Sequence, residues 1–132
     1  MQIKVMQVGQ LGTNCYLLED EETRTAAVVD PGGEGARILA QLKADGMELK
    51  LILLTHAHFD HTGGVAELCA ALPRVPVYLH PADAALVGGD VFPAVGAETT
   101  PYQDGDVVKL GKMDIEVLHT PGPVSYTHLT LP

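Results

Sequence analysis

The feature that most limits the fold of this chain is an unbroken apolar run that ends in a cluster of polar side chains. The run is Leu51-Ile52-Leu53-Leu54, which is typical of a strand buried on both faces. The cluster that follows it is Thr55-His56-Ala57-His58-Phe59-Asp60-His61. Apolar residues then recur at helical spacing between residues 65 and 72, with Thr62 as the predicted N-cap. The sequence therefore predicts a strand, a tight turn that carries the cluster, and a helix.

Four side chains of the cluster can bind metal ions, namely His56, His58, Asp60 and His61. His56 and His58 point the same way in extended backbone and can hold one ion through imidazole nitrogen. Asp60 and His61 lie further along the turn, where they can reach a second ion. Two neighbouring ions would lower the pKa of a shared water and supply hydroxide near neutral pH. Solvated or core histidines that cluster by chance are the alternative, but the setting between a buried strand and a helix favours a metal site.

This cluster resembles the H-x-H-x-D-H signature of the metallo-β-lactamase-fold hydrolases. Three other segments resemble the glyoxalase-II-like, or hydroxyacylglutathione hydrolase-like, branch: residues 11–18 (LGTNCYLL), 28–33 (VVDPGG) and 117–122 (VLHTPG). The resemblance runs from about residue 2 to Gly122. It implies an α/β fold, the αββα sandwich of that family, of which this chain would supply roughly the first half to two-thirds.

The resemblance also implies a function. It implies a metal-dependent hydrolase that uses metal-bound hydroxide on a thioester or ester, with His56, His58, Asp60 and His61 as metal ligands. Asp60 would also be catalytic, because it helps to orient the water. The implied cofactor is Zn²⁺, with two ions in the intact family fold and iron or manganese as alternatives, since His and Asp suit all three. Asp30 is interpreted as a carboxylate that orients the ligand turn, or as a turn residue, rather than as a direct ligand.

The chain departs from the resembled family at Pro123. In that family a metal-binding histidine follows the T-P-G triplet. In this chain the triplet is followed by proline, which offers no donor side chain. His119 precedes the triplet at a non-ligand position, and His128 could substitute only if something fixed its position. The remaining family ligands, a bridging aspartate and a distal histidine, would lie in a second half that this sequence does not supply. The alternative function is therefore a truncated, catalytically inactive metal-binding fragment of such a hydrolase.

The predicted domain covers residues 1–122, incomplete relative to the family, and residues 123–132 form an atypical tail. The tail does not resemble the family's continuation, and our hypothesis is a truncated gene with an artefactual end. An in-frame continuation of the same residues to a natural stop codon at the source locus would reject this hypothesis. A sheet face without its partner layer promotes association, so the sequence also predicts low solubility.

The composition of the chain and its first residues limit which partners and which cellular compartment are expected. The 132 residues, 46% of them hydrophobic, suit one domain with a real core. A net charge of -9 disfavours nucleic acid and anionic membranes as partners. The expected partner is the small-molecule thioester or ester that the resemblance implies, and the oligomeric state is left open. The sequence begins without an apolar leader, which predicts a cytoplasmic protein and disfavours a secreted β-lactamase. Cys15 and Cys69 are interpreted as reduced core residues.

Periodicity predicts the remaining elements. The predicted strands are residues 3–8, 15–18, 25–29, 49–54, 77–79, 107–110 and 113–118. Helices are predicted over Glu34–Asp45 and from His80–Pro81 to about Val87, and a solvated connection over residues 19–22. Residues 88–102 are predicted to form a loop. His80 is interpreted as an exposed loop histidine, with a substrate contact as the alternative.

Overall fold

A computed structural model of the chain describes residues 2–55, 58–85, 95, 98–120 and 126–130, apart from the side chains at 59, 120, 126, 128 and 130. Its strands are β1 (Gln2–Val8), β2 (Thr13–Asp20), β3 (Thr25–Val29), β4 (Glu48–Leu53), β5 (Val77–Leu79), β6 (Thr99–Pro101), β7 (Val107–Leu110), β8 (Met113–Thr120) and β9 (Tyr126–Thr130). Its helices are α1 (Gly35–Ala44), α2 (Phe59–Thr62), α3 (Val65–Ala71) and α4 (Pro81–Ala84). Within this described part, no helix is long and apolar enough to cross a bilayer.

The strands form two sheets. The first has the order β1-β2-β3-β4-β5-β6, with antiparallel pairing from β1 to β3 and parallel pairing from β3 to β6. The second is the antiparallel set β7-β8-β9. Because α1 connects β3 to β4, these two strands lie parallel, as the strand-helix-strand order predicts. The mixed α/β fold class is therefore confirmed.

Two apolar clusters hold the layers together. One cluster packs α1 and α3 on the first sheet through Ile38, Leu42, Val65 and Leu68. The other lies between the sheets and includes Leu53. The run of residues 51–54 contributes to both clusters and is buried throughout, as expected for a strand covered on two faces. The described layers are thus helix, sheet and sheet.

Several predicted boundaries and environments were wrong. Thr62 ends α2 instead of capping the following helix, because Gly63 and Gly64 separate two short helices. The predicted solvated connection begins with Glu19 and Asp20, but both lie in β2 and are buried. Residues 99–101 of the predicted loop form β6, where parallel pairing with β5 compensates for the weak local pattern. In the atypical tail, β9 pairs with β8.

Candidate metal centre

Three backbone segments meet where β3 and β4 end. They are the hairpin between β1 and β2, the turn of residues 31–33, and α2. At Gly32 a Cβ atom would overlap the carbonyl oxygen of Asp60, so glycine is required for this approach. A Cβ atom on Gly33 would lie 2.9 Å from the Cα atom of Gly9. The three segments therefore pack backbone to backbone around Asp60.

Asp30 ties this arrangement to the end of the buried strand. It is 3% exposed and has a left-handed φ of 55°, which aspartate tolerates better than most residues. Its Oδ1 accepts a hydrogen bond from the Thr55 backbone N–H at 2.8 Å, and its Oδ2 accepts one from Thr55 Oγ1 at 2.6 Å. The same Oδ2 lies 2.9 Å from His61 Nδ1. These are the contacts of an orienting carboxylate, and its role toward a metal stays a prediction.

The second ring nitrogen of His61 faces Asp60. Nε2 lies 3.5 Å from Asp60 Oδ2, and two ligands of one tetrahedral ion, each about 2.1 Å from it, are about 3.4 Å apart. Burial lowers the pKa of His61, but the hydrogen bond to Asp30 and the charges of Asp30 and Asp60 outweigh burial and raise it above its ordinary value of 6.5. The ring is thus oriented by one carboxylate and presents its other nitrogen beside a second.

The other two predicted ligands are His56 and His58. His58 is the N-cap residue of α2 and is partly buried, whereas His56 lies outside the described residues. Pro123, which stands where the resembled family has a ligand, also lies outside them. Among the residues that the structure describes, no three His, Cys, Asp or Glu side chains group closely enough to hold an ion. The structure therefore brings Asp60 and His61 together, and the four-ligand set stays a prediction.

The donor chemistry of this pair fits zinc or iron. Imidazole nitrogen combined with carboxylate oxygen is a common ligand combination for these ions in proteins. A histidine ligand also usually gives its other ring nitrogen to a carboxylate, which fixes the tautomer, and Asp30 is placed to do so for His61. The pair is therefore suited to metal binding in both chemistry and spacing.

A cavity of about 350 Å³ opens beside Asp60. Its walls come from the same three segments and include Val8, Leu11, Thr13 and Gly33, so most of the lining is apolar side chain or glycine backbone. Leu11 stands at the hairpin tip and is 65% exposed. A hollow of this kind can accept part of a small molecule whose reacting group reaches the carboxylate.

The sequence reasoning missed several contacts around the site. Thr13 Oγ1 donates a hydrogen bond to Asp60 Oδ2 at 3.2 Å, although the LGTNCYLL segment gave no sign of that partner. The rings of His80 and His119 stack with their centroids 3.5 Å apart and an interplanar angle of 5°. The prediction of an exposed loop histidine at His80 is therefore wrong, because this residue is partly buried. No spacing rule signals a stack between two strand ends so far apart in the chain.

The Thr55 carbonyl connects the ligand turn to the second sheet, since it accepts a hydrogen bond from the Thr127 backbone N–H at 2.9 Å. Tyr102, which is buried between the sheets, donates its hydroxyl to the carbonyl oxygen of Leu54. The end of β4 is thus held from both the first and the second sheet. In the sequence, Thr55 was marked only by its position as the first residue of the polar cluster.

Several known proteins are similar to this chain in sequence or in structure. A protein from Bacillus subtilis (strain 168) named "Probable metallo-hydrolase" is 36% identical over an alignment of 141 positions, which covers 96% of this chain and 65% of that protein. A hydroxyacylglutathione hydrolase from Hahella chejuensis is 46% identical over 97 residues, which cover 74% of this chain and 33% of that enzyme. A crystal structure of a protein in a di-iron-bound form matches with a TM-score of 0.77 and 36% identity, over 98% of this chain and 66% of that one.

The chain thus spans between 33% and 66% of the length of these proteins. A family model described as the metallo-beta-lactamase superfamily matches residues 8–130. This range includes β2 to β9 and the turn after the buried strand β4, and of the strands leaves out only β1 up to Gln7. The resemblance stated from the sequence is confirmed. Since the family match extends over most of the chain and agrees with the observed fold, the chain belongs to the metallo-beta-lactamase superfamily.

Proposed function

We propose that this chain carries the metal-binding part of a hydrolase that cleaves a thioester or ester bond in a small molecule. The observation that carries this proposal is the pairing of His61 Nε2 with Asp60 Oδ2 at the end of a buried strand, with the opposite ring nitrogen held by Asp30. The name of the Hahella chejuensis relative supports a thioester such as a hydroxyacylglutathione. The finer choice between thioester and ester rests on that analogy.

In this proposal His56, His58, Asp60 and His61 hold one or two divalent ions, zinc or iron, with manganese as the alternative. When bound, the ions would supply a hydroxide from water near neutral pH and a Lewis acid for the scissile carbonyl. Asp30, whose Oδ2 lies 2.9 Å from His61 Nδ1, would hold a proton on that nitrogen, so that Nε2 would be the atom that binds the ion. Asp60 has a second carboxylate oxygen, Oδ1, that would accept a hydrogen bond from the attacking water and orient it.

The cavity beside Asp60 would receive the acyl part of the substrate. Its apolar walls would exclude water from that side, and because Asp60 lies at its edge, a substrate bound there would bring its reacting carbonyl near the proposed ions. Nucleic acid and membranes are not proposed as partners, because a chain with 17 acidic and 8 basic side chains would repel polyanionic surfaces. A cytoplasmic location stays a prediction.

The test combines metal stoichiometry with turnover. The chain is loaded separately with Zn²⁺, Fe²⁺ or Mn²⁺, and thiol release from S-lactoylglutathione is compared with hydrolysis of a lactone and of a β-lactam. We expect bound metal and a preference for the thioester, both lost in Asp60→Ala. The matched control is Asp114→Ala, which removes a 60% exposed carboxylate on β8 and should change neither.

The opposite result would support the alternative function. At most one weakly held ion, with no turnover of any of the three substrates, would overturn the hydrolase proposal for this chain. It would favour an inert metal-binding fragment, the alternative suggested by proline at position 123.

A further inference from the structure

The hydroxyl of Thr13 reaches the carboxylate of Asp60 across 47 residues of chain. Oγ1 donates to Oδ2 at 3.2 Å, and this is the same oxygen that faces His61 Nε2 at 3.5 Å. A carboxylate oxygen has two lone pairs, so one can accept the threonine proton while the other is directed elsewhere. The hydrogen bond therefore restricts the rotation of Asp60 without using its whole capacity to bind.

The surrounding backbone fixes this distance. Gly32 lies between the two residues, since a Cβ atom on it would overlap the Asp60 carbonyl oxygen and lie 3.4 Å from the Thr13 Cβ atom. The turn of the hairpin is held as well, because the Gly9 N–H donates to Glu34 Oε2 at 2.9 Å. Thr13, the first residue of β2, thus lies at a strand end that packs close to α2, and the turn before it is fixed by a hydrogen bond to Glu34.

We propose that Thr13 is a positioning residue for Asp60, so that the carboxylate presents Oδ2 to a metal ion in one orientation. The inference rests on the proposed function, in which Asp60 is a metal ligand. Groups that hydrogen-bond to ligands typically change metal affinity by about 10- to 100-fold when they are removed. Thr13 would act in this way, through Asp60 and without touching the ion.

The experiment measures Co²⁺ affinity of the full chain by visible absorption in competition with a chelator, for the wild type and for Thr13→Val, Thr13→Ser and Thr13→Ala. Valine keeps the shape of threonine and removes its hydroxyl, whereas serine keeps the hydroxyl. We expect Thr13→Val to bind Co²⁺ about tenfold more weakly, with a changed ligand-field spectrum, and Thr13→Ser to remain within about threefold of the wild type.

A matched control is Thr23→Val, which removes a hydroxyl bonded to Thr25 Oγ1 at 2.7 Å in the turn after β2 and should leave Co²⁺ affinity unchanged. If Thr13→Val does not fold by circular dichroism, the comparison of Thr13→Ala with Thr13→Ser isolates the same oxygen, and the alanine variant should bind about tenfold more weakly.

Two outcomes would overturn the inference, and they are distinguishable. If Thr13→Val or Thr13→Ala binds Co²⁺ as tightly as Thr13→Ser while Asp60→Ala loses affinity, Asp60 is a ligand and only the positioning role fails. If Asp60→Ala also binds as tightly as the wild type, or if the wild type binds no Co²⁺, the proposed function fails together with the inference.

Discussion

The two ends of the six-stranded sheet each bury a carboxylate, but they surround it differently. Asp30, at the end with the candidate metal centre, faces donors from Thr55 and His61. Glu19, at the opposite end, is 1% exposed and lies near the Asp45 carboxylate, with Lys4 Nζ 3.8 Å away. Burial, together with the hydrogen bond and charge of Asp45, raises the pKa of Glu19 to about 7.

The difference shows that the set of donors, and not burial alone, decides what a buried carboxylate does in this fold. At the first end the carboxylate orients neighbouring groups. At the second end the neighbouring Asp45 helps to keep the Glu19 carboxyl group protonated to a higher pH, and Glu19 and Lys4 in turn lower the pKa of Asp45. Amide and alanine substitutions at matched positions can therefore separate the two ends.

The largest expected effect comes from the glycines. Gly32→Ala places a methyl group on the Asp60 backbone, and Gly111→Ala places one against Thr23 and Asp20 at a left-handed φ of 58°. We expect both variants to lose about 3 kcal/mol of unfolding free energy in urea, because neither methyl group has space. Only Gly32→Ala should also weaken Co²⁺ binding, by about tenfold, since it displaces the proposed ligand. Equal Co²⁺ affinity in the two variants would contradict the view that only the end of the sheet with Asp60 binds metal.

The carboxylates provide an intermediate effect. Asp30→Asn keeps the left-handed backbone but replaces an acceptor oxygen by an N–H₂ group that faces donors, so we expect a loss of about 2 kcal/mol at pH 8. Glu19→Gln should be neutral or stabilising at the same pH, because it removes a carboxyl group that must ionise while buried. Urea unfolding of both variants checks this, and a larger loss for Glu19→Gln than for Asp30→Asn would refute the comparison.

The smallest expected effect is the pH dependence of stability. The folded pKa of Glu19 lies above its ordinary value of 4.5, so its stabilising contribution is complete below pH 4.5 and is lost as the pH rises through about 7. The stabilising contribution of His61 is also lost as the pH rises, because its pKa is raised as well. The pKa of Asp45 is lowered from 3.8, so the contribution of Asp45 to stability is lost only as the pH falls below that value. Between pH 5 and pH 8 the wild type should lose more stability than Glu19→Gln, by on the order of 1 kcal/mol.

The control for this measurement is Glu48→Gln, which changes a 70% exposed carboxyl group and should follow the wild-type profile. A Glu19→Gln profile that also coincides with the wild type between pH 5 and pH 8 would show that Glu19 does not titrate in this range.

The sequence predicted the parts of the fold that depend on local pattern. The buried run of residues 51–54, the α1 helix and the parallel pairing of β3 with β4 follow from periodicity and element order. The burial of Glu19 was not predictable, because a run of acidic residues favours solvent unless a distant partner such as Lys4 covers it. Likewise, the link from Thr13 to Asp60 depends on glycine contacts between segments that no single window of sequence contains.

The contacts that join the hairpin, the turn after β3 and α2 also have a consequence for synthesis. They use residues between Gln7 and Gly64. At the opposite end of the sheet, by contrast, Asp20 accepts a hydrogen bond from the backbone N–H of Lys112, which lies 92 residues later in the chain. Since a nascent chain leaves the ribosome from its N-terminus, the end with Asp60 can close before the second sheet exists.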